Sequence, residues 1–267
     1  MELNVDGFTV YVNTGGQDYT ADKLALIFVH GGGNDHTYWS LQSRFFAHHG
    51  YSTLVPDLPG HGRSDGPAPD NIDDYASWLW RFADAIGART VAFVGHSMGA
   101  LVALEAAAAM GDGALALIML GVVPAMGVHP DLQAAADTGH HRAVETMIGW
   151  GFGRPSQIGG NRAPGSWVSG AGLRVLERGL RGPLGTDLRA SNSYGGAIEA
   201  ASGVSCPTLV IGGDDDRMTP PKGVGPLIEA LADARLTVLP ATGHMMSLER
   251  PDETLDTMRH FLKGKGE

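Results

Sequence analysis

The sequence predicts an α/β protein built on a mostly parallel sheet, and three features carry that prediction. Short runs rich in Val, Ile and Leu recur along the chain. Each is bounded by Gly or Pro and followed by a segment of good helix formers, an alternation that marks α/β architecture. The later runs are apolar on both faces rather than alternating, as strands covered by helices on each side require.

Taken in order, "FTVYVN" (8–13) reads as an opening strand paired with "LALIFVHG" (24–31). "STLVPDLPG" (52–60), "TVAFVGHS" (90–97), "ALALIMLG" (114–121), "PTLVIGGDDD" (207–216) and "RLTVLPATGH" (235–244) come next. Helices are expected over 74–87, the Ala-rich "MGALVALEAAAAM" (98–110), roughly 222–233 and 249–263, with right-handed crossovers. From Pro124 to Gly203 the rhythm breaks. This stretch offers no strand and is dense in glycine, as in "IGWGFGRPSQIGGNRAPGSW" (148–167), with helical pieces near 131–149, 171–181 and 186–201. Met147, Trp150, Phe152 and Trp167 supply more apolar bulk than a solvated linker needs. Residues 124–203 are therefore expected to form a helical cap inserted into a core of 1–123 and 204–267.

Composition narrows the partners. Against 29 Asp and Glu the 267-residue chain carries 19 Lys and Arg, a formal charge of −10 that disfavours nucleic acid. Cys206, in "VSCPTLV", is the only cysteine, so no intrachain disulfide forms and a buried inert thiol is expected. The N-terminal "MELNVDGFTVYVNTGG" lacks a basic start before an apolar core, and runs such as "ALALIML" (114–120) are too short to span a bilayer. No leader, no membrane insertion and a cytoplasmic location are the resulting expectations. No pattern specifies an oligomeric state.

Ligands bind open α/β sheets outside the carboxyl ends of the strands. Five runs deliver chemistry there: "HGGGNDHTYW" (30–39), "PDLPGHGRS" (56–64), "GHSMG" (95–99), "GDDDRMTP" (213–220) and "PATGH" (240–244). "GHSMG" fits the G-x-S-x-G elbow in the required strand–turn–helix context, lifting Ser97 clear of the sheet at the start of a helix. A serine hydroxyl needs a neighbouring base. His244, just past the last strand beside Gly243, is the natural one of eleven histidines. The pair His140–His141 would suggest metal only with a second ligand cluster, and none accompanies it. His96 is expected to point away from Ser97.

The base needs a carboxylate to fix its tautomer. Residues 114–130 contain no Asp or Glu, which leaves Asp214, Asp215 and Asp216. Asp216, four residues before Pro220, has the reach over the sheet edge, while its neighbours suit turn and helix-entry positions. Backbone N–H groups suffice for the oxyanion. Met98 supplies one, and the second comes from "HGGG", with Gly32 the first choice and Gly33 the reserve. "HGGGND" lacks both G-x-G-x-x-G and a P-loop lysine, so it does not read as a phosphate cradle.

With "HGGGNDHTYW", "PDLPGHGRS", "GHSMG", "GDDDRMTP" and "ATGHMMSLERP" in that order, the chain resembles the α/β-hydrolase superfamily across essentially its whole length. The resemblance implies a three-layer α/β-hydrolase fold with an eight-stranded, mostly parallel sheet and a helical lid after the sixth strand. It implies the triad Ser97, Asp216 and His244, with Gly32 and Met98 as oxyanion donors and no metal or organic cofactor. Asp57, His61, Gly62 and Ser64 become scaffold residues of a turn. Ser97 separates the chain from the aspartate-nucleophile dehalogenases and epoxide hydrolases and from cysteine dienelactone hydrolases. The closer resemblance is to the group of small-ester carboxylesterases, enol-lactonases, cofactor-free haloperoxidases and carbon–carbon bond hydrolases. A small to medium, mostly uncharged ester or lactone is the expected partner, cleaved through an acyl-enzyme. Haloperoxidase, perhydrolase or carbon–carbon chemistry, and a ligand receptor that keeps the fold, are the alternatives. Gly33, Met126, Trp150, Phe152, Trp167, Met245 and Met246 are candidates for the substrate pocket, with ordinary core packing as the other reading of the bulky ones.

Overall fold

The computed structural model describes residues 1–160 and 166–264; residues 161–165 of the expected insertion and 265–267 of the expected core lie outside the described residues. The chain opens with a hairpin. Strand β1 (Glu2–Val5) pairs antiparallel with β2 (Phe8–Asn13) across Asp6 and Gly7, whose φ values of 56° and 87° suit the primed turns that match strand twist. Strand β1 is absent from the expected elements because it is short and mostly exposed, although "DG" between apolar runs is its signal.

Strand β2 does not pair with β3 (Ala25–Val29), contrary to expectation. Helix α1 (Ser40–Ala47) carries the chain over to β4 (Ser52–Pro56), which lies parallel on β3 with Ile27 opposite Leu54. That placement occupies the β3 edge, and β2 closes antiparallel onto β4 through Val12 and Pro56. Strands β5 (Val91–His96), β6 (Ala114–Leu120), β7 (Thr208–Gly213) and β8 (Ala234–Leu239) complete an eight-stranded sheet of order β1-β2-β4-β3-β5-β6-β7-β8. All pairings from β4 to β8 are parallel.

Helices α2 (Ile72–Ala85) and α3 (Met98–Met110) cover one face. Tyr75, Leu79 and Phe82 pack there with Leu101 and Leu104 in the larger core cluster, which also contains the buried Cys206. Phe46 of α1 covers the other face with Met258 and Leu262 of α12 (Pro251–Leu262). Between β6 and β7 run α4 (Pro130–Asp137), α5 (Arg142–Gly151), α6 (Arg154–Gln157), α7 (Val168–Gly179), α8 (Leu184–Ser193) and α9 (Ala197–Gly203). Leu132, Val144, Met147, Leu176, Leu184 and Leu188 of four of these helices form their own cluster. The last, α9, sends Ala197, Ala200 and Ala201 into the core cluster beside α3. The expected helix over 131–149 is two helices because Gly139, at φ 63°, takes the left-handed position that ends α4. Likewise α11 (Met246–Glu249) stops before Pro251, the first residue of α12. Short α10 (Gly225–Ala230) precedes β8. Among the described residues no helix is long and apolar enough to cross a membrane.

Register decides where the site falls. Val29 lies opposite Gly95, His96 opposite Leu120, Leu120 opposite Ile211, and Gly213 opposite Leu239. The residues just beyond these positions leave the sheet along one edge: His30–Gly33, Ser97, Gly121, Asp214–Asp216 and Pro240–His244.

Candidate active site

Ser97 stands between β5 and α3 with φ 54° and ψ −123°. Such a conformation costs a non-glycine residue about 1–3 kcal/mol, so its neighbours must enforce it. Its N–H donates to the Leu120 carbonyl at 2.9 Å and its own carbonyl accepts from Ala100 N–H at 2.8 Å. A methyl group on Gly95 would strike the Gly99 carbonyl, and one on Gly99 would strike the carbonyls of Val29 and His30. Both glycines of the elbow are therefore required by close backbone approach.

The His244 ring is buried, and its Nδ1–H donates to Asp216 Oδ2 at 2.9 Å. Thr219 Oγ1 stands 3.1 Å from the same nitrogen and donates to the same carboxylate oxygen at 2.7 Å. The other oxygen, Oδ1, accepts from the N–H groups of Met218 and Thr219 at 2.8 and 2.9 Å. Burial pushes the Asp216 carboxyl up, but His244 and these donors outweigh it and hold the group below the usual carboxylate range. With Nδ1 bound to an ionised acceptor, Nε2 carries the lone pair in the neutral ring. That atom is buried without a hydrogen-bond partner among the described residues.

The backbone of His244 is tied on both sides. Its N–H donates to Gly151 O at 2.6 Å, and its carbonyl accepts from His96 Nε2–H at 2.9 Å. His96 thus turns to a backbone partner, stacks on Tyr38 at 4.2 Å, and burial first, then His244, holds it well below the ordinary histidine range. Gly243 allows α5 and α6 to approach, since a methyl group there would strike Gly153 N. Buried Glu249 binds both sides of the junction, accepting from Gly153 N–H and Met245 N–H. The two other aspartates are engaged elsewhere: Asp214 accepts from Thr242 N–H and Asp215 from Arg154 N–H.

A cavity of about 210 Å³ opens over Ser97. Ser97, His244, Thr219, Gly32 and Met98 line its floor, and Met126, Leu132, Met147, Trp150 and Leu188, from the chain between β6 and β7, form much of the far wall with Met218 and Met245. Met98 opens α3, where a first-turn N–H has no acceptor within the helix. A methyl group on Gly31 would lie 3.2 Å from Ser97 Cβ, so the glycine loop runs directly beside the serine. The structure brings Ser97, Asp216, His244, Gly32, Met98, Met126, Trp150 and Met245 to one place. It does not bring Gly33, Trp167, Phe152 or Met246 there. Gly33 lies on the far side of the loop, where its N–H donates to Asp187 Oδ2 at 2.7 Å and is lost as a reserve oxyanion donor. Trp167 stands exposed at the start of α7, while Phe152 and Met246 are sealed in the core.

Two residues at this edge escape the sequence reading. Thr219 carries a signal: a threonine three residues after an aspartate is a common local hydrogen-bond pattern. Asp187 carries none, because its partners His61 and Gly33 stand 126 and 154 residues away. One set of side chains among the described residues, Asp35, His36 and Asp57, lies close enough to ligate a metal ion. Its carboxylates are already engaged, Asp57 by His36 and Arg63 N–H, and Asp35 by Thr37 and Arg178.

An eight-stranded sheet of this order, with a serine elbow and a His–Asp pair at one edge, defines the class of protein. The chain belongs to the alpha/beta hydrolase family, whose model matches residues 26–257. It is 28% identical over 270 residues to the non-heme chloroperoxidase of Streptomyces lividans, covering 91% of this chain and 92% of that one. The 2-hydroxy-6-oxo-6-phenylhexa-2,4-dienoate hydrolase of Burkholderia cepacia is 26% identical, covering 94% and 90%. Among solved structures, the enol-lactonase of Burkholderia xenovorans LB400 superposes with a TM-score of 0.85 at 22% identity, over 98% of this chain and 99% of that one, a likeness of fold.

Proposed function

We propose that this protein is a serine hydrolase that cleaves small to medium carboxylic esters or lactones through an acyl-enzyme. One observation carries the reading: His244 has Nδ1 committed to Asp216 and Nε2 unpartnered, and it lines the same cavity as Ser97. In the first step His244 Nε2 takes the Ser97 proton as Oγ attacks the carbonyl carbon. The N–H groups of Met98 and Gly32 receive the oxyanion, and the developing imidazolium is stabilised by Asp216. His244 then returns the proton to the leaving alkoxide, and water activated by the same ring releases the acid. Every step uses the chain's own residues.

The cavity supports an apolar acyl group. Met98, Met126, Met147, Met218 and Met245 supply pliable thioether walls that adapt to several chain shapes. The names of the two curated relatives favour a second reading, in which the same triad serves peroxide and halide or carbon–carbon substrates. A panel of p-nitrophenyl esters, lactones, peroxide with halide, and vinylogous diketo acids separates the two. Ser97→Ala should lower ester turnover by about 10⁴-fold or more. Wild-type hydrolysis of p-nitrophenyl butyrate by that variant would sink the proposal.

A further inference from the structure

The second buried His–Asp pair lies where α8 meets the glycine loop. Asp187, fully buried, accepts three hydrogen bonds: Gly33 N–H and His61 Nε2–H on Oδ2, both at 2.7 Å, and Tyr75 O–H on Oδ1 at 2.6 Å. His61 Nδ1 meets the Pro59 carbonyl at 3.0 Å, so both ring nitrogens face acceptors. Only the imidazolium form, with a hydrogen on each nitrogen, donates to both at once. Its neighbour His30, 4.9 Å away, has the opposite arrangement. His30 Nε2 accepts from Leu58 N–H at 3.1 Å while Nδ1–H donates to Gly31 O, which fixes a neutral ring. A methyl group on Gly32 would come within 3.1 Å of Asp187 Cβ, so the carboxylate backs directly onto the loop. The Gly33 carbonyl, too, is abutted by α7, where a methyl group on Gly179 would meet it at 2.6 Å.

We infer that Asp187 is a positioning residue for the oxyanion loop: through the Gly33 N–H and the His61 imidazolium it makes the geometry of Gly32 depend on how α8 is seated. This rests on the catalytic reading above, in which Gly32 N–H receives the oxyanion. The groups facing the His61 ring are Asp187 from α8, Tyr75 from α2, Asp57 on its own turn and His30 after β3. Burial presses the ring toward neutrality, and the Asp187 charge outweighs it, so His61 keeps its proton above the ordinary histidine range. The charge on His61 is thus present at lower pH and is lost as pH rises through the value the ring has in the folded protein, which leaves one of its two contacts unmatched. A neutral ring would turn a lone pair toward either Pro59 O or Asp187.

The test is kcat and KM on p-nitrophenyl butyrate for Asp187→Asn and His61→Gln, scaled to the serine sites titrated by a fluorophosphonate. Asp187→Asn should lose about 10- to 100-fold in kcat with KM within about twofold, the signature of a displaced donor in a folded enzyme. The Gly32 and Gly33 amide resonances should move in that variant. The wild-type kcat should fall on the alkaline side, and His61→Gln should lack that limb. Wild-type kcat per site and unmoved Gly32 and Gly33 resonances in Asp187→Asn would overturn the inference. Should Asp187→Asn fail to fold, the pH profile of His61→Gln decides: an alkaline limb identical to wild type overturns it. Ser97→Ala is run alongside. If it is inactive while Asp187→Asn is normal, only the positioning role falls; if it retains turnover, the catalytic reading falls and takes this inference with it.

Discussion

Two buried imidazole–carboxylate pairs stand at the same sheet edge, and they differ in one respect. His244 and Asp216 meet at 2.9 Å, His61 and Asp187 at 2.7 Å, and all four side chains are shielded from solvent. His244 leaves one nitrogen unbonded at a cavity, whereas His61 has both nitrogens engaged. The residue types are the same; an idle lone pair suits His244 to the proton transfer proposed for it, and two engaged nitrogens suit His61 to the positioning proposed for it. Distance and burial alone would not tell these roles apart. Counting the partners of each ring nitrogen does.

The sharpest way to break the comparison is to remove each imidazole. His244→Ala should reduce ester turnover by about 10⁴-fold or more, while His61→Gln should cost far less, with both measured per mole of folded protein. Equal losses would erase the distinction. Next, Asp216→Asn should lower kcat by about 10³- to 10⁴-fold, because the imidazole loses its tautomer and its counter-charge. The same variant should flatten the acid side of the stability curve. A carboxyl held below its ordinary range stabilises the fold above that range, and the gain is lost as pH falls through its folded value. Urea titrations carried from pH 7 to well below the ordinary carboxylate range would show the change in slope.

A smaller effect is expected at His30. Burial, then the neighbouring His61, lowers this ring from 6.5 to about 4. The unfolded chain therefore binds a proton that the native state refuses, and stability is lost as pH drops from 6.5 toward 4. His30→Gln should remove that part of the acid-side decline, read from midpoints across the window. Smallest is Thr219→Val, which deletes one of four donors to Asp216. A net hydrogen bond of about 1 kcal/mol corresponds to about a fivefold loss in kcat with KM unchanged. A Thr219→Val variant with wild-type kcat would show that the other three donors alone orient the carboxylate.

The strand ends can be read in the sequence because parallel strands buried on both faces write themselves as continuous apolar runs, and the residues after each run must emerge at one edge. Ser97, Asp216 and His244 are legible in that way, and Gly95 and Gly99 through the tightness of the turn. The mispaired opening strand shows the limit: "FTVYVN" reveals a strand but not its neighbour, which depends on where the crossover lays β4. Helical segments hide more. "LGTDLRASNS" reads as a polar-faced helix, and nothing local indicates that Asp187 points inward to partners on α2 and two loops. Trp150 and Trp167 look alike as residues and both are exposed, yet one lines the cavity and the other does not, since what lies over a side chain is decided by distant segments.

The seating of Gly151–Gly153 against His244 has a bearing on attempts to retool this enzyme. Exchanging the stretch between β6 and β7 for that of a relative looks like a simple graft at two loop ends. Here that stretch reaches His244 through Gly151 O, meets Glu249 at Gly153, and holds Gly33 and His61 through Asp187. A transplant that leaves the recipient sites behind would bring new walls for substrate while misaligning the machinery beneath them. Donor and docking residues would have to travel as one heritable unit.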